Sequence, residues 1–588
     1  MTSLSNGLGN YWPKNVNRSL VVQHAASITM LAVIGLISYG IFYAPILYND
    51  DWSYMVGRWY SGTMKLFDLA ELRPFQKAPF AILYGIFGLN IHAFYNVFWF
   101  LNILAAVQLY FLMREFIPKS GPLAFGIAAI FLVYPADFTH MWVSQLHNRL
   151  AVVLTFMYAH LLITYAHNGR RFALWISLLS LIVSFTLYES QFGIVMLWCL
   201  LLILVNKNRW RTRLSLLLPL VIGALFVLWR TVGYSMLEIK DNYQYSNRVQ
   251  LTPIVIITRF VIGFRAMIWA WLEPLMQAFG LNGGQAMIVI LLAITIAGLL
   301  TLIISRTTHK LPNDYLTEKE YLDQIRSFIL MMVIGSLFIA AGYVPIITVF
   351  EPTTFFQTGS RVNGFALPGA AVTTVGFLAL VILLLKRKWK QQEINFVGMT
   401  MLIPLVFLGT MVQAQIQYDD RVVWEKQKQI WHQLFELAPD LKGETGVYFV
   451  LSDTRNQVPS LNVTEQRLPV NASWEVGAAL NILYGRHDLK GDVFVRELLH
   501  MADDFLLDQL LLREGIKNLV TDEITPYENA LFVTYDNNLG QLAIIEDLEA
   551  EDLVSFPVPG YRPYERIINT PTSHQELRWL VGAATNSP

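Results

Sequence analysis

The sequence predicts an α-helical polytopic membrane protein of about eleven spans, followed by a C-terminal soluble α/β or α+β domain. Three observations predict it. The chain is 54% hydrophobic and only 15% charged, where soluble chains carry about 25% charged residues, and its mean hydropathy is +0.44. The deficit of charge is uneven: residues 21–417 form a series of long apolar runs, whereas the composition after Tyr418 is that of an ordinary soluble domain. Basic residues, finally, gather in alternate loops between the runs. The division expected is therefore a transmembrane domain over 1–417 and an extracytoplasmic soluble domain over 418–588.

Composition also excludes classes. Formal net charge is zero and no basic cluster is interleaved with aromatics, so nothing points to a nucleic-acid partner. The single cysteine, Cys199, rules out an intrachain disulfide and a cysteine-based zinc site. Residues 1–20 are polar, with Lys14 and Arg18, and the apolar run after them is long for a signal sequence. It is expected to be a retained first span.

Apolar runs long enough, or nearly so, to cross a bilayer lie at 25–46, 92–113, 122–133, 150–166, 172–187, 192–205, 214–232, 286–305, 328–349, 362–385 and 395–415. With a cytoplasmic N-terminus, the cytoplasmic loops hold Arg114 and Lys119, Arg170 and Arg171, then Lys207, Arg209, Arg211 and Arg213. Next come Arg306 and Lys310, then Lys386, Arg387, Lys388 and Lys390. This is the positive-inside pattern, and it puts the tail and the first loop outside; in a bacterium the membrane would be the plasma membrane. Loop 48–90 mixes charged with apolar and aromatic residues and suits short amphipathic helices in the interface. Segment 254–275 carries Arg259, Arg265 and Glu273, so an interfacial or re-entrant helix is expected there rather than a twelfth span. In the tail, 421–438 has helical periodicity and ends at Pro439, 446–451 reads as a buried strand, and 493–512 has a helical period. Residues 530–535 and 541–545 read as a hairpin. The sequons at Asn462 and Asn471 carry no information without a source, and no internal repeat is visible.

The chemistry-bearing stretch is Tyr48-Asn49-Asp50-Asp51-Trp52, directly after the first run. Two adjacent carboxylates are costly in dry bilayer, so they belong at the water interface or in a wet cavity; the plain alternative is a solvated acidic turn. Other outward span ends carry Asp137, His147, Asn148 and Arg149, then Tyr188-Glu189-Ser190-Gln191, Arg230, and Glu351 through Arg361. Each has an ordinary explanation: Glu189 as a turn residue, Arg361 as a snorkelling anchor, His147 and Arg149 as structural groups. Together they place acids beside cations at one membrane face, which suits a phosphate-linked substrate and a proton to be removed. Asp50 and Asp51 would also suit a divalent cation, although two carboxylates are too few to define a metal site.

On the residues Asp50-Asp51, Arg73-Pro74, Ile91-His92-Ala93-Phe94-Tyr95-Asn96, Leu187-Tyr188-Glu189-Ser190 and Arg361, the membrane part resembles the GT-C class of integral-membrane glycosyltransferases. Protein O-mannosyltransferases and bacterial lipid A aminoarabinose transferases belong to that class. The resemblance implies a sugar donor carried on a polyprenyl phosphate, an acceptor hydroxyl on a glycan, lipid or protein, and a catalytic acid in the first outward loop. The class motif is often Asp-Glu, whereas here it is Asp50-Asp51. That departure leaves open which of the two is the base; Asp50 is expected as base with Asp51 in support, Arg361 at the donor phosphate, and Glu189, His147, Arg149 and Arg58 as further substrate-binding groups, with inverting transfer if the displacement is single. Rival readings are a transporter or flippase of lipid-linked sugars, a polysaccharide ligase or polymerase, and a noncatalytic assembly factor. Charged residues at span ends rather than mid-span argue against the transporter.

Overall fold

A chain in hydrocarbon must satisfy its backbone N–H and C=O groups within itself, and a helix does so segment by segment. The computed structural model describes residues 18–41, 43, 45–48, 50–68, 73–117, 120–137, 139, 142–205, 214–233, 252–277, 295, 316–347, 358–385, 391–451, 473–495, 511–518, 523–536, 539–570 and 576–582. It divides the chain into two compact units. The first is Met1–Tyr43, Lys65–Met141 and Gln145–Gln417; the second is Ala44–Met64, Trp142–Ser144 and Tyr418–Pro588.

The first unit is helical: α1 Arg18–Gly40, α2 Ala78–Phe87, α3 Ile91–Phe116, α4 Gly121–Val133, α5 Leu146–Asn168, α6 Arg171–Leu187, α7 Phe192–Val205, α8 Leu218–Leu228, α9 Pro253–Gln277, α10 Glu318–Ile347 and α11 Leu367–Leu385. Helix α12, Gln391–Leu437, starts here and runs on into the second unit. Among the described residues five helices are long and apolar enough to cross a membrane, and five shorter apolar helices accompany them. The protein is an integral membrane protein. Helix α6 shows how sequence sets its faces. Phe172, Trp175, Leu179 and Ile182 recur at helical spacing and are exposed, as a lipid-facing stripe is. On the opposite side Ser177 donates to Tyr158 O and Ser184 to Ala151 O, each at 3.0 Å, so small hydroxyl residues let α6 lie close against α5.

Helices α10 and α11 approach most closely at glycines. A Cβ on Gly369 would stand 2.5 Å from both Gly335 O and Ile339 N. Gly342 and Gly376, each seven residues further along its helix, also meet the partner helix or the chain leading into it.

Several boundaries differ from those expected. Helix α1 begins at Arg18 and ends at Gly40 rather than covering 25–46, and Pro45 follows, a residue that cannot continue a helix. The run 362–385 becomes helical only at Leu367; before it, Thr358–Phe365 is a 3₁₀ helix. Within loop 48–90 lies α2, an apolar helix whose exposed face carries Ile82, Ile86 and Phe87. The candidate span 286–305 lies outside the described residues apart from residue 295, and both sequons lie wholly outside them. Segments 395–415 and 421–438 are one helix, α12. The residues joining them, Ile416-Gln417-Tyr418-Asp419-Asp420, end the apolar run but include no Gly or Pro to end the helix. At the junction Gln417 Nε2 donates to Ser38 O, so α12 is held to α1 by a polar contact.

The second unit has a four-stranded sheet in the order β3-β2-β7-β8, from strands β2 Gly446–Leu451, β3 Lys490–Val495, β7 Ala530–Asp536 and β8 Gln541–Ile544. β2 pairs parallel with β3 and β7, and β8 closes antiparallel on β7 as the expected hairpin. Every residue of β2 is buried, as a central parallel strand requires. Three short strands, β4 Leu511–Leu512, β5 Gly515–Lys517 and β6 Ile524–Thr525, form a second sheet, and β1 Asp440–Leu441 pairs with β9 Ile567–Ile568. Helix α13, Ser473–Leu483, packs on β3. The helical period expected over 493–512 is overturned at both described ends, where 493–495 closes β3 and 511–512 is β4. Pairing with β2 outweighs local periodicity at the first of these.

Because two backbones meet at Gly369, Gly369→Val should lower the melting midpoint of detergent-solubilised protein, with a cost of about 1–3 kcal/mol from overpacking. Gly40→Ala, where an added Cβ meets nothing within 4 Å, should leave the midpoint unchanged. Equal midpoints for Gly369→Val and wild type would contradict the close α10–α11 approach.

Candidate functional site

The acidic pair lies in the second unit. Asp50 is half-buried and in helical conformation, and Asp51 opens a π-helical segment, Asp51–Gly57, that runs into the helical turn Arg58–Tyr60. Such segments occur often at functional sites. Trp52 fixes this element: fully buried, its ring lies 6.4 Å from those of Trp424 and Trp431 on α12. Asp51 is not in a solvated turn. It is completely buried, its Oδ1 accepting the Ser144 N–H at 2.7 Å and its Oδ2 the Tyr48 N–H at 3.2 Å. Burial outweighs those two bonds and pushes the carboxyl up to about 8. At neutral pH Asp51 is thus a protonated tie between backbone segments. Arg58 lays its guanidinium over the Tyr54 ring, 4.2 Å from the centroid.

In the first unit the turn between α6 and α7 carries Glu189. Arg73 binds it in a fork, Nε to Oε2 at 2.6 Å and Nη2 to Oε1 at 2.9 Å, and Arg230 adds Nη2 to Oε1 at 3.3 Å. The loop bearing Arg73 is tied to the end of α6 by the Phe75 N–H donating to Thr186 O. Burial alone would raise the Glu189 carboxyl, but Arg73 and then Arg230 outweigh it and hold the group down at about 2. So weak a base is unsuited to accepting a substrate proton near neutral pH. What Glu189 does is hold two guanidiniums beside one carboxylate, an assembly of two positive charges and one negative.

Tyr188 is the hub of this cluster. Arg73 lies 4.2 Å from its ring centroid, the His147 ring 5.5 Å away, and the Phe365 ring stacks on it at 5.6 Å and 10°. Phe365 ends the 3₁₀ helix that carries Arg361, itself half-buried. That helix is anchored by Asn363, whose Nδ2 donates to Ala136 O and whose Oδ1 accepts from the Tyr343 hydroxyl, both at 2.8 Å. His147 meets Gln76 Nε2 at 3.3 Å. Arg149 is buried and bound at 2.5 Å to buried Asp137, whose other oxygen accepts the Thr139 hydroxyl at 2.6 Å. Arg149 therefore anchors the turn after α4.

Glu189, His147 and the helix bearing Arg361 thus converge on Tyr188, and Arg149 is held by the neighbouring turn. Asp50, Asp51 and Arg58 belong to the other unit. Arg73 and Arg230, the partners of Glu189, stood in the sequence as charges in a loop and at a span end; pairing with a residue 116 positions away leaves no local signal. Ser144, the partner of Asp51 across 93 positions, left none either. Among the described residues no three His, Cys, Asp or Glu side chains gather as metal ligands.

No protein-family model matches the chain, and neither does any curated protein. Solved structures similar to it include two of ArnT. The crystal structure of ArnT from Cupriavidus metallidurans bound to undecaprenyl phosphate is 13% identical, covers 89% of this chain and 94% of its own, and has a TM-score of 0.34. For ArnT from the same organism in the apo state the values are 14%, 88%, 93% and 0.35.

The Asp51 carboxyl titrates higher in the folded chain than in an unfolded one, where it stands near about 4. Its contribution to stability is complete below that value and is lost as pH rises toward about 8. Between pH 5 and 8, unfolding free energy should fall by about 1.4 kcal/mol per pH unit more steeply in wild type than in Asp51→Asn. Parallel profiles for the two proteins would show that Asp51 is ionised when folded.

Proposed function

We propose that the protein is a glycosyltransferase of the GT-C type, moving a sugar from a polyprenyl-phosphate donor to an acceptor hydroxyl on the extracytoplasmic side. The observation that carries this reading is the Arg73–Glu189–Arg230 assembly, a partly covered cluster in which one carboxylate fixes two guanidiniums. Fixed guanidiniums suit the oxygens of a phosphate and stabilise charge that develops on it as the sugar leaves. Arg361, carried on the helix that stacks against Tyr188, is the further cation assigned to that phosphate.

The base is Asp50. Its neighbour Asp51 is buried with both oxygens occupied by backbone N–H groups, so its part is to hold the segment that presents Asp50. A carboxylate within hydrogen-bond reach of the acceptor hydroxyl takes its proton as it attacks the anomeric carbon, and the lipid phosphate departs. His147, packed against Tyr188, and Arg58, over Tyr54, are assigned to sugar or acceptor binding. Arg149 has a positioning role through Asp137. The N-terminus is assigned to the cytoplasm and the C-terminal domain to the outside, following the basic loops.

Membranes carrying wild type should transfer sugar from polyprenyl-phosphate donors. Asp50→Asn should lose transfer by about 100-fold or more in kcat while retaining donor binding, and Arg73→Gln should weaken donor binding. Transfer at wild-type rate by Asp50→Asn would remove the assigned base. A cysteine placed at exposed Leu539 in a Cys199→Ser background should react with a membrane-impermeant maleimide in intact cells; labelling only after lysis would reverse the orientation.

A further inference from the structure

A cavity lies wholly within the second unit, at the edge of its four-stranded sheet. Strand β3 is the edge strand, and Lys490 and Asp492, two residues apart, sit on one face of it. Asp492 lies opposite Tyr448 in the register with β2. The β5–β6 connection brings Lys517, Asn518 and Glu523 to the same place, pinned by the Asn518 N–H donating to Glu523 O at 2.9 Å. Gly477 of α13 completes the wall, and the enclosed volume is about 150 Å³.

We propose that this cavity binds a single neutral sugar residue. Size is the first reason. Pockets for drug-sized ligands run from roughly 300 Å³; this one has room for one sugar ring. Charge is the second. Lys490 and Glu523 pair at 3.0 Å, and Lys517 and Asp492 add one charge of each sign, so the lining sums to zero. A free anion would meet the carboxylates and a free cation the lysines, whereas an apolar guest would take the polar lining out of water with no hydrogen bonds in return. The third reason is the arrangement of donors and acceptors. Lysine ammonium and asparagine amide groups donate, and carboxylates and the Asn518 carbonyl accept, within one small space. Sugar hydroxyls do both, and they are the neutral groups that use such a mixture fully. The Asp492 Oδ1 already accepts the Val493 N–H at 2.8 Å, which fixes the carboxylate in place, and it keeps further lone pairs for a hydroxyl. At the back of the cavity the Tyr448 ring packs against Phe494 and Phe532, 5.9 and 5.0 Å away, and those two rings also touch each other at 6.3 Å.

Gly477 makes the proposal testable without removing any polar group. A Cβ there meets nothing nearer than Gly491 N at 3.8 Å, and replacing a helical glycine raises helix propensity. Gly477→Met therefore fills the cavity in a protein that still folds. The experiment is saturation-transfer NMR on the full-length protein, in a detergent without a sugar head group. The probes are methyl glucoside, methyl galactoside and methyl mannoside, with glucuronic acid and glucosamine as charged counterparts. At least one neutral glycoside should bind wild type in preference to its charged counterparts. Gly477→Met and Asp492→Asn should each weaken that binding about tenfold or more, equivalent to about 1.4 kcal/mol, with unchanged melting midpoints. No neutral glycoside binding to wild type, stronger binding of the charged sugars, or undiminished binding to Gly477→Met would each overturn the proposal. Its fate is separable from that of the transferase reading: sugar transfer without glycoside binding overturns only this proposal, and glycoside binding without transfer overturns only the other.

Discussion

The charged end of the first unit depends on the forked pair between Arg73 and Glu189. Both side chains are mostly covered, at 14% and 19% exposure, and neither would be tolerated there alone, since an unpaired charge out of water costs several kcal/mol. Glu189 has a second guanidinium, Arg230, on the same oxygen. The carboxylate therefore gathers the loop before α2, the turn after α6 and the π-helical segment after α8 around one point. Tyr188 adds an aromatic surface to that point, and the helix bearing Arg361 leans on it through Phe365. A fixed set of cations results, built around one carboxylate.

Neighbours in sequence divide the tasks elsewhere. Asp50 and Asp51 are the same residue type, but the alternation of exposure puts one in a half-buried position and the other out of water altogether. The buried one satisfies two backbone donors and is held protonated; the other stands half-buried at the head of the π-helical segment. The same logic separates Arg149 from Arg361. The first is locked to Asp137 in the interior, and the second rides on a 3₁₀ helix whose own anchor is Asn363.

Much of this was legible in the chain. Helices α3 to α8, the buried strand at 446–451 and the 530–545 hairpin follow from apolar run length, periodicity and turn residues, all of them local signals. Misreadings came where a local signal was absent or outweighed. The end of the apolar run near Gln415 resembles the end of a helix, but polarity is not a helix breaker, and α12 continues to Leu437. The acid and apolar period over 493–512 looked helical, yet strand pairing with β2 decided the form of 493–495. At the candidate site the residue types and their clustering at span ends were visible, and Glu189, His147 and Arg361 were singled out. Arg73 and Arg230 were visible too, but not as the partners of Glu189, and Ser144 not as the partner of Asp51, because those pairings arise only through contacts between distant parts of the chain.

The sequence by itself determined that this is a membrane protein with a C-terminal soluble domain, because hydrocarbon and water each demand a composition that is written residue by residue. It also determined which carboxylates and cations are present to do chemistry. Only the tertiary structure decided their states. Whether a carboxyl is a clamped anion, as Glu189 is, or a buried acid, as Asp51 is, depends on the groups brought within a few ångströms of it and on the water excluded from it. Neither quantity is a property of the residue or of its neighbours in the chain.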